Sequence, residues 1–181
     1  MTAPLLPLVK CVLILDDDGG RVSTKYYDKD SFGTHSVQTD FEDKLWKKTK
    51  NINARSEADV VLLEDCVAVF RSGVDIHVYV VGSADENELI LTLVLDALYD
   101  SLNALLRGQL DKRTLLDNLA LVLLAVDELC DGGKILEVDP SAITNRVLMK
   151  GATGGPPPMT ELTIQQAIAT AKEEFIRRMG N

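Results

Sequence analysis

Short aliphatic runs alternate with polar turns over the first half of the chain, a pattern typical of a sheet built from hairpins. The first run, residues 11–15, ends at the turn sequence DDDGG, and residues 21–27 are predicted to return as a second strand. Three further strands are predicted at residues 60–63, 66–71 and 74–81. Because two residues separate each of these three strands from the next, they are expected to form antiparallel hairpins.

Apolar residues recur with the helical period in the segments that remain. A first helix is predicted at residues 36–50, between the second and third strands. Residues 86–131 are helical in pattern, and the break at residues 108–111 divides them into two long helices. Gly132 and Gly133 are predicted to end the second of these helices.

The C-terminal part of the sequence predicts a tether and a final helix. A short helix at residues 139–148 precedes the low-complexity stretch GATGGPPP, whose composition favours a linker. Beyond it, Ile164, Ile168, Phe175 and Met179 share one apolar stripe. We therefore expect a folded domain, a Gly/Pro linker and an amphipathic C-terminal helix, at residues 1–150, 151–160 and 161–181.

The order of elements, β-β-α-β-β-β-α-α, defines the expected fold class. Together with connections of hairpin length, this order describes an antiparallel sheet with helices on both faces. The sequence therefore predicts an α+β domain with a five-stranded antiparallel sheet, helices on both faces and extra C-terminal helices.

The two long helices are more apolar than a helix that covers one face of a sheet requires. In the first, polar residues form one narrow stripe from Glu88 to Arg107, and in the second, residues 119–126 carry no polar side chain. One explanation is that the helices bury each other as well as the sheet, and the other is a permanent interface with a larger protein. On the second explanation, the expected partner contacts are Leu91, Leu95, Leu98, Leu102, Leu119, Leu123 and Val126.

Net charge and cysteine usage limit the environment of the protein. The formal net charge is −9, so binding to nucleic acid or to bare anionic membranes is not expected. The chain carries three cysteines in separate apolar surroundings and no CxxC motif, which suits a reducing compartment. The first ten residues lack the pattern of a signal peptide, and no apolar run reaches the length of a membrane span. A cytoplasmic protein is expected.

No motif for catalysis, nucleotides or metal ions is found. Asp16, Asp17 and Asp18 lack the spacing of a calcium loop, neither glycine cluster matches a phosphate-binding loop, and the two histidines have no zinc-ligand neighbours. His77 is expected to be packed or hydrogen-bonded. The cations between Lys44 and Arg55 are explained mostly by the dipole of the first helix. We therefore expect no enzyme activity, no cofactor and no metal.

Three stretches resemble the zeta-subunit family of coatomer, the COPI vesicle coat. They are LILDDDGGRVSTKYY, VVGSADENELILTLVLDALYDSL and DKRTLLDNLALVLLAVDELCDGGKILEVDP. The resemblance covers residue 9 to about residue 147. Zeta subunits are related to the sigma small chains of clathrin adaptors, and the resemblance implies their longin-like fold.

The resemblance further implies a non-enzymatic coat subunit that forms an obligate heterodimer with the trunk of the gamma subunit, beside the other coatomer subunits. Recruitment to Golgi membranes would depend on an Arf-type GTPase, so membrane association would be peripheral and indirect. Two alternatives remain open. One is a sigma chain that recognises acidic dileucine cargo. Sigma chains bind such cargo with basic residues near the second strand, where this chain has Arg21, Val22 and an acidic turn. The other is a stand-alone longin-like regulatory domain.

Overall fold

A computed structural model describes residues 8–152. The strands and helices of this part of the chain are, in order, β1 (Val9–Asp16), β2 (Arg21–Tyr26), α1 (His35–Thr49), β3 (Asp59–Leu63), β4 (Cys66–Ser72), β5 (Ile76–Ser83), α2 (Glu88–Leu105), α3 (Lys112–Asp117), α4 (Leu119–Leu129), β6 (Cys130–Asp131), β7 (Lys134–Ile135) and α5 (Pro140–Ala152).

The main sheet has five strands in the order β2-β1-β5-β4-β3. All four pairings are antiparallel, so the predicted five-stranded antiparallel sheet is confirmed. The turn between β1 and β2 closes through Asp16, whose carboxylate accepts from the backbone N–H of Gly20 at 2.6 Å. Gly19 adopts a φ of +81° in this turn, a conformation that glycine reaches without steric cost.

Helices cover both faces of the sheet, as the sequence predicts. On one face, Phe41 and Leu45 of α1 pack with Leu13, Phe70 and Tyr79 of the sheet. On the other face, α2 and α4 pack on the alternate residues of the same strands, which include Ile14, Val69 and Val80. Because successive side chains of a strand point to opposite faces, the three central strands carry apolar residues at nearly every position.

The helix predicted after residue 111 is divided into α3 and α4 at Asn118. The Asn118 side chain donates from Nδ2 to the carbonyl oxygen of Thr114 at 2.9 Å, and its backbone φ is −119°. An asparagine side chain that bonds to the backbone competes with the helical pattern. The expectation of one continuous helix is therefore wrong, and the interruption lies at its single asparagine.

A short hairpin, β6–β7, follows α4 and was not predicted as a hairpin. Gly132 and Gly133 form its turn with φ values of +54° and +77°. The carbonyl oxygen of Gly133 accepts from the N–H of Val9 at 2.9 Å, which attaches the hairpin to the start of β1. The prediction that the two glycines end the helix is therefore wrong: α4 ends at Leu129, and the chain enters β6 before it reaches them.

Helix α5 packs Ile143 and Val147 into the core beneath it. It extends to Ala152, two residues into the segment predicted to be a linker. The rest of that linker and the predicted amphipathic helix lie outside the described residues, so both remain predictions. No helix within residues 8–152 is long and apolar enough to cross a membrane.

Candidate partner-binding surface

Most of the leucines predicted to contact a partner lie inside the domain. Leu91, Leu95, Leu98 and Leu102 of α2 are 0% exposed, and Val126 of α4 is 3% exposed. The sequence prediction is corrected for these five, because α2 uses its broad apolar surface to pack on β4 and β5 on one side and on α4 on another. The other two are accessible: Leu119 is half-buried and Leu123 is 44% exposed.

The large exposed apolar side chains of α2 are Leu89 and Leu93, which are 76% and 52% exposed. They lie one helical turn apart and thus on one face of α2. Leu89 precedes Asp96 by two turns and Leu93 precedes Asp100 by two turns, so both leucines share the polar face of the helix. This seven-residue spacing from the aspartates is the sequence signal that could have identified Leu89 and Leu93 as exposed.

A second accessible apolar pair lies on β3, the edge strand of the sheet. Val60 and Leu62 are 43% and 60% exposed, and they pair in register with Val69 and Val67 of β4. Those two β4 valines are buried in the cluster that α2 covers. Val60 and Leu62 therefore lie on the same face of the sheet as α2, on the edge strand next to those on which α2 packs. We call Val60, Leu62, Leu89 and Leu93 the exposed apolar set.

The backbone of the β3 edge is partly protected. The Val60 N–H donates to the Asp59 carboxylate at 2.7 Å, and Lys48 Nζ donates to the carbonyl oxygen of Leu62. Lysine and aspartate placed in this way reduce the tendency of an edge strand to pair with another chain. The exposed apolar set therefore offers side chains rather than an open strand edge to a partner.

An ion-pair network on the polar face of α2 holds this helix to the sheet. Arg71 of β4 contacts Asp96 at 3.0 Å and Asp100 at 3.6 Å, and its guanidinium lies 4.0 Å from the centroid of the Tyr99 ring. The Arg71 side chain is 17% exposed. Because these contacts fix the position of α2, they also fix where Leu89 and Leu93 are presented.

In the region considered for acidic dileucine cargo, the described cations Arg21 and Lys112 are both paired with carboxylates. Arg21 Nε lies 2.5 Å from Glu42 Oε2, and Val22 is buried. At the adjacent turn, Lys112 Nζ donates to Asp16 at 2.7 Å. Burial opposes ionisation of Asp16, but hydrogen bonds from Lys112, Gly20 and Asp18 outweigh it and hold the pKa of Asp16 below its ordinary value. The turn carboxylate therefore has a structural role, and Arg21 is neutralised by Glu42.

His77 is hydrogen-bonded within the fold, as predicted. Its Nδ1 lies 3.0 Å from the Ser72 hydroxyl and its Nε2 lies 3.3 Å from the Asp17 carboxylate. Burial lowers the pKa of His77 below its ordinary value despite the nearby Asp17. Ser72 is 6% exposed, so this chain of hydrogen bonds joins the β1–β2 turn to β4 and β5 rather than presenting a nucleophile.

The three cysteines are buried and unpaired. Burial raises the pKa of each thiol above its ordinary value, which keeps the thiols protonated and unreactive. Within residues 8–152, no group of three His, Cys, Asp or Glu side chains is placed to hold a metal ion.

Comparison with known proteins identifies the family. Residues 8–153 match the model of the clathrin adaptor complex small chain. Coatomer subunit zeta-1 of Arabidopsis thaliana is 43% identical over 175 residues, which cover 97% of this chain and 98% of the relative. Human coatomer subunit zeta-1 is 43% identical over 172 residues, covering 95% and 93% of the two chains.

The same fold is found in a chain of an adaptor complex. A chain in a homology model of the full-length AP-3 complex superposes with a TM-score of 0.63 at 15% identity, covering 81% of this chain and 96% of that one. This likeness confirms the adaptor small-chain fold, and the sequence identities place the chain more narrowly. The chain belongs to the clathrin adaptor complex small chain family and, within it, to the coatomer zeta subunits.

Proposed function

We propose that this chain is the non-enzymatic small subunit of a COPI coat that pairs with the trunk of the coatomer gamma subunit. The coat would act in Golgi-to-ER and intra-Golgi transport. The observation that carries the proposal is the 43% identity with coatomer zeta-1 over 97% of the chain. On this proposal, the chain reaches Golgi membranes only through the assembled coat, which an Arf-type GTPase recruits.

The exposed apolar set supports a protein partner on the α2 side of the sheet. Leu89 at 76% exposure and Leu62 at 60% are among the most exposed large apolar side chains of the described residues. Clusters of exposed apolar side chains mark interaction surfaces more often than isolated ones do. We infer that the gamma trunk covers Leu89 and Leu93, with Val60 and Leu62 at the margin of the contact.

Co-expression with a gamma trunk tests this proposal. The wild-type chain should co-purify with the trunk and melt at a higher temperature in its presence, since a partner that binds only the folded state stabilises it. The double variant L89D/L93D should lose the complex, because two carboxylates would be buried without partners. The control L116D changes an exposed leucine of α3 and should bind as wild type does.

The outcomes test the pairing with a gamma trunk and the proposed contact surface on α2 separately. Failure of the wild-type chain to bind any gamma trunk would contradict the pairing itself. Binding by L89D/L93D at wild-type strength would keep the pairing but contradict the α2 surface.

A further inference from the structure

A polar cavity lies on the α1 face of the domain, separate from the exposed apolar set. It has a volume of about 540 Å³ and lies where the C-terminal end of α1, the segment after it, the β1–β2 turn and the β4–β5 turn meet. This volume falls within the range of small-molecule sites. The residues in its wall that matter here are Trp46, Lys50, Asn51, Asn53, Arg55 and His77.

The cavity is lined by the two cations of its segment whose side chains form neither an ion pair nor a hydrogen bond with any other described residue. Between Lys44 and Arg55 the sequence has five cations and no acidic residue. Lys44 pairs with Asp40 and Glu64, Lys47 pairs with Asp43, and Lys48 bonds to a backbone carbonyl. Among the described residues, Lys50 and Arg55 form no ion pair, and both line the cavity. In a chain of net charge −9, this wall is locally positive.

Trp46 contributes its indole ring to the same wall. The indole Nε1 is itself buried, so the ring rather than this nitrogen faces the cavity. Lys50 Nζ lies 4.8 Å from the centroid of the Trp46 ring, so the ammonium group and the indole are neighbours.

The acidic group in the wall is already engaged. Asp17 lies 3.3 Å from His77 Nε2, and the other ring nitrogen of His77 lies 3.0 Å from the Ser72 hydroxyl. What the wall still offers is therefore mainly donors: the ammonium of Lys50, the guanidinium of Arg55 and the side-chain amides of Asn51 and Asn53. A ligand that fits must be rich in acceptors and negatively charged.

We propose that this cavity binds a phosphate monoester group. A phosphate monoester carries three acceptor oxygens and between one and two negative charges at neutral pH. Lys50 and Arg55 oppose that charge, although Asp17 also lies in the wall, and a guanidinium can contact two phosphate oxygens at once. A single carboxylate has fewer acceptors and half the charge, and would leave more of these donors unused. The proposal does not depend on pairing with a gamma subunit.

The single tryptophan of the chain provides the readout. Trp46 lies in the cavity wall, so its fluorescence should change saturably when the full-length chain is titrated with inorganic phosphate or glycerol 3-phosphate at pH 7.5. Sodium chloride at matched ionic strength should produce no such change. Calorimetry on the same samples covers the case of a ligand that binds without altering the fluorescence.

Matched variants locate the site. K50Q and R55Q each remove one exposed charge of the wall, and each should weaken binding about tenfold, the loss expected for one charge-assisted hydrogen bond. K47Q removes a charge from the same helix outside the cavity and should bind as wild type does. Equal weakening by K47Q, an equal response to chloride, or no saturable signal by either method would overturn the proposal.

A second experiment, with lipid vesicles, distinguishes a lipid headgroup from a soluble phosphate ester. Vesicles of phosphatidylcholine with and without phosphatidic acid are sedimented with the wild-type chain and the two cavity variants. Sedimentation that requires both phosphatidic acid and the two cations identifies a lipid headgroup as the ligand. Binding of glycerol 3-phosphate without sedimentation identifies a soluble phosphate ester, and binding in neither arm contradicts the site.

Discussion

Arg21 and Glu42 form an ion pair, with 2.5 Å between Nε and Oε2, that joins the edge strand β2 to helix α1. Glu42 is 2% exposed, and the Tyr26 hydroxyl donates to its other oxygen at 2.5 Å. Burial, together with this hydrogen bond to a carboxylate, raises the pKa of Tyr26 well above its ordinary value. The chain thus uses Arg21 to neutralise a buried carboxylate of its own.

Arg21→Ala should destabilise the fold strongly, because it leaves the Glu42 carboxylate buried with Tyr26 as its remaining side-chain donor. We expect a loss of roughly 2–3 kcal/mol in the free energy of unfolding, less than for a fully buried pair because the Arg21 side chain is 28% exposed. Lys47→Ala breaks an exposed pair on the same helix and should cost about 0.5 kcal/mol or less. Urea denaturation at pH 7 measures both, and equal losses would contradict the structural role of Arg21.

Gly133→Ala should cost more than Gly132→Ala, although both residues have positive φ. A Cβ at Gly133 would lie 2.7 Å from the carbonyl oxygen of Val9, whereas nothing lies within 4 Å of one at Gly132. Backbone strain alone costs about 1–2 kcal/mol, and the clash should add roughly 1–3 kcal/mol at Gly133. Thermal melts of the two variants compare them directly. Similar melting temperatures would mean that the hairpin is not held against β1.

The stability of the fold should fall between pH 10 and pH 12, in part through Tyr79. Burial raises the pKa of Tyr79 to about 12 from its ordinary value of 10.0. The unfolded chain therefore releases this proton first, so the contribution of Tyr79 is complete below pH 10 and is lost as pH rises towards 12. Two pKa units correspond to about 2–3 kcal/mol.

Tyr79→Phe tests this directly. It removes the hydrogen bond to the Thr49 hydroxyl, 2.7 Å away, and should cost about 1 kcal/mol at pH 7. Denaturation across the alkaline range should then show a shallower loss of stability than in wild type. Parallel curves for the two proteins would rule out Tyr79 as a source of the alkaline dependence.

Removal of residues 153–181 leaves α5 complete and should leave the proposed heterodimer assembled but weaker. The sequence places Ile164, Ile168, Phe175 and Met179 on one stripe, and a helix of this length is marginal in water unless that stripe docks. We expect binding to the gamma trunk to weaken by about tenfold or less. A pull-down and a melting curve of the truncated chain measure the effect. Complete loss of the heterodimer would contradict the view that residues 8–152 carry the main interface.

The interruption at Asn118 does not follow from the hydrophobic period of the sequence. The apolar period runs on through α3 and α4, so periodicity alone predicts one helix. The competing hydrogen bond from the Asn118 side chain to the Thr114 carbonyl is local, and an asparagine in a long apolar helix was the available signal. The start of β5 also differs from the prediction. Val74 fits the alternation of this strand, but β5 begins at Ile76, and Val74 is 73% exposed.

The sequence by itself determined the succession of the five main strands and the long helical segments along the chain, the antiparallel sheet and the family. Turn residues, hydrophobic period and a nearly full-length resemblance are local or linear properties. Only the tertiary structure decided which leucines are exposed. Leu91 and Leu89 are equally apolar, and they differ because β4, β5 and α4 lie against one side of α2 and leave the other open. The cavity needed the structure for the same reason: Asp17, Trp46 and His77 are distant in the chain and meet only where α1 packs beside the β1–β2 and β4–β5 turns.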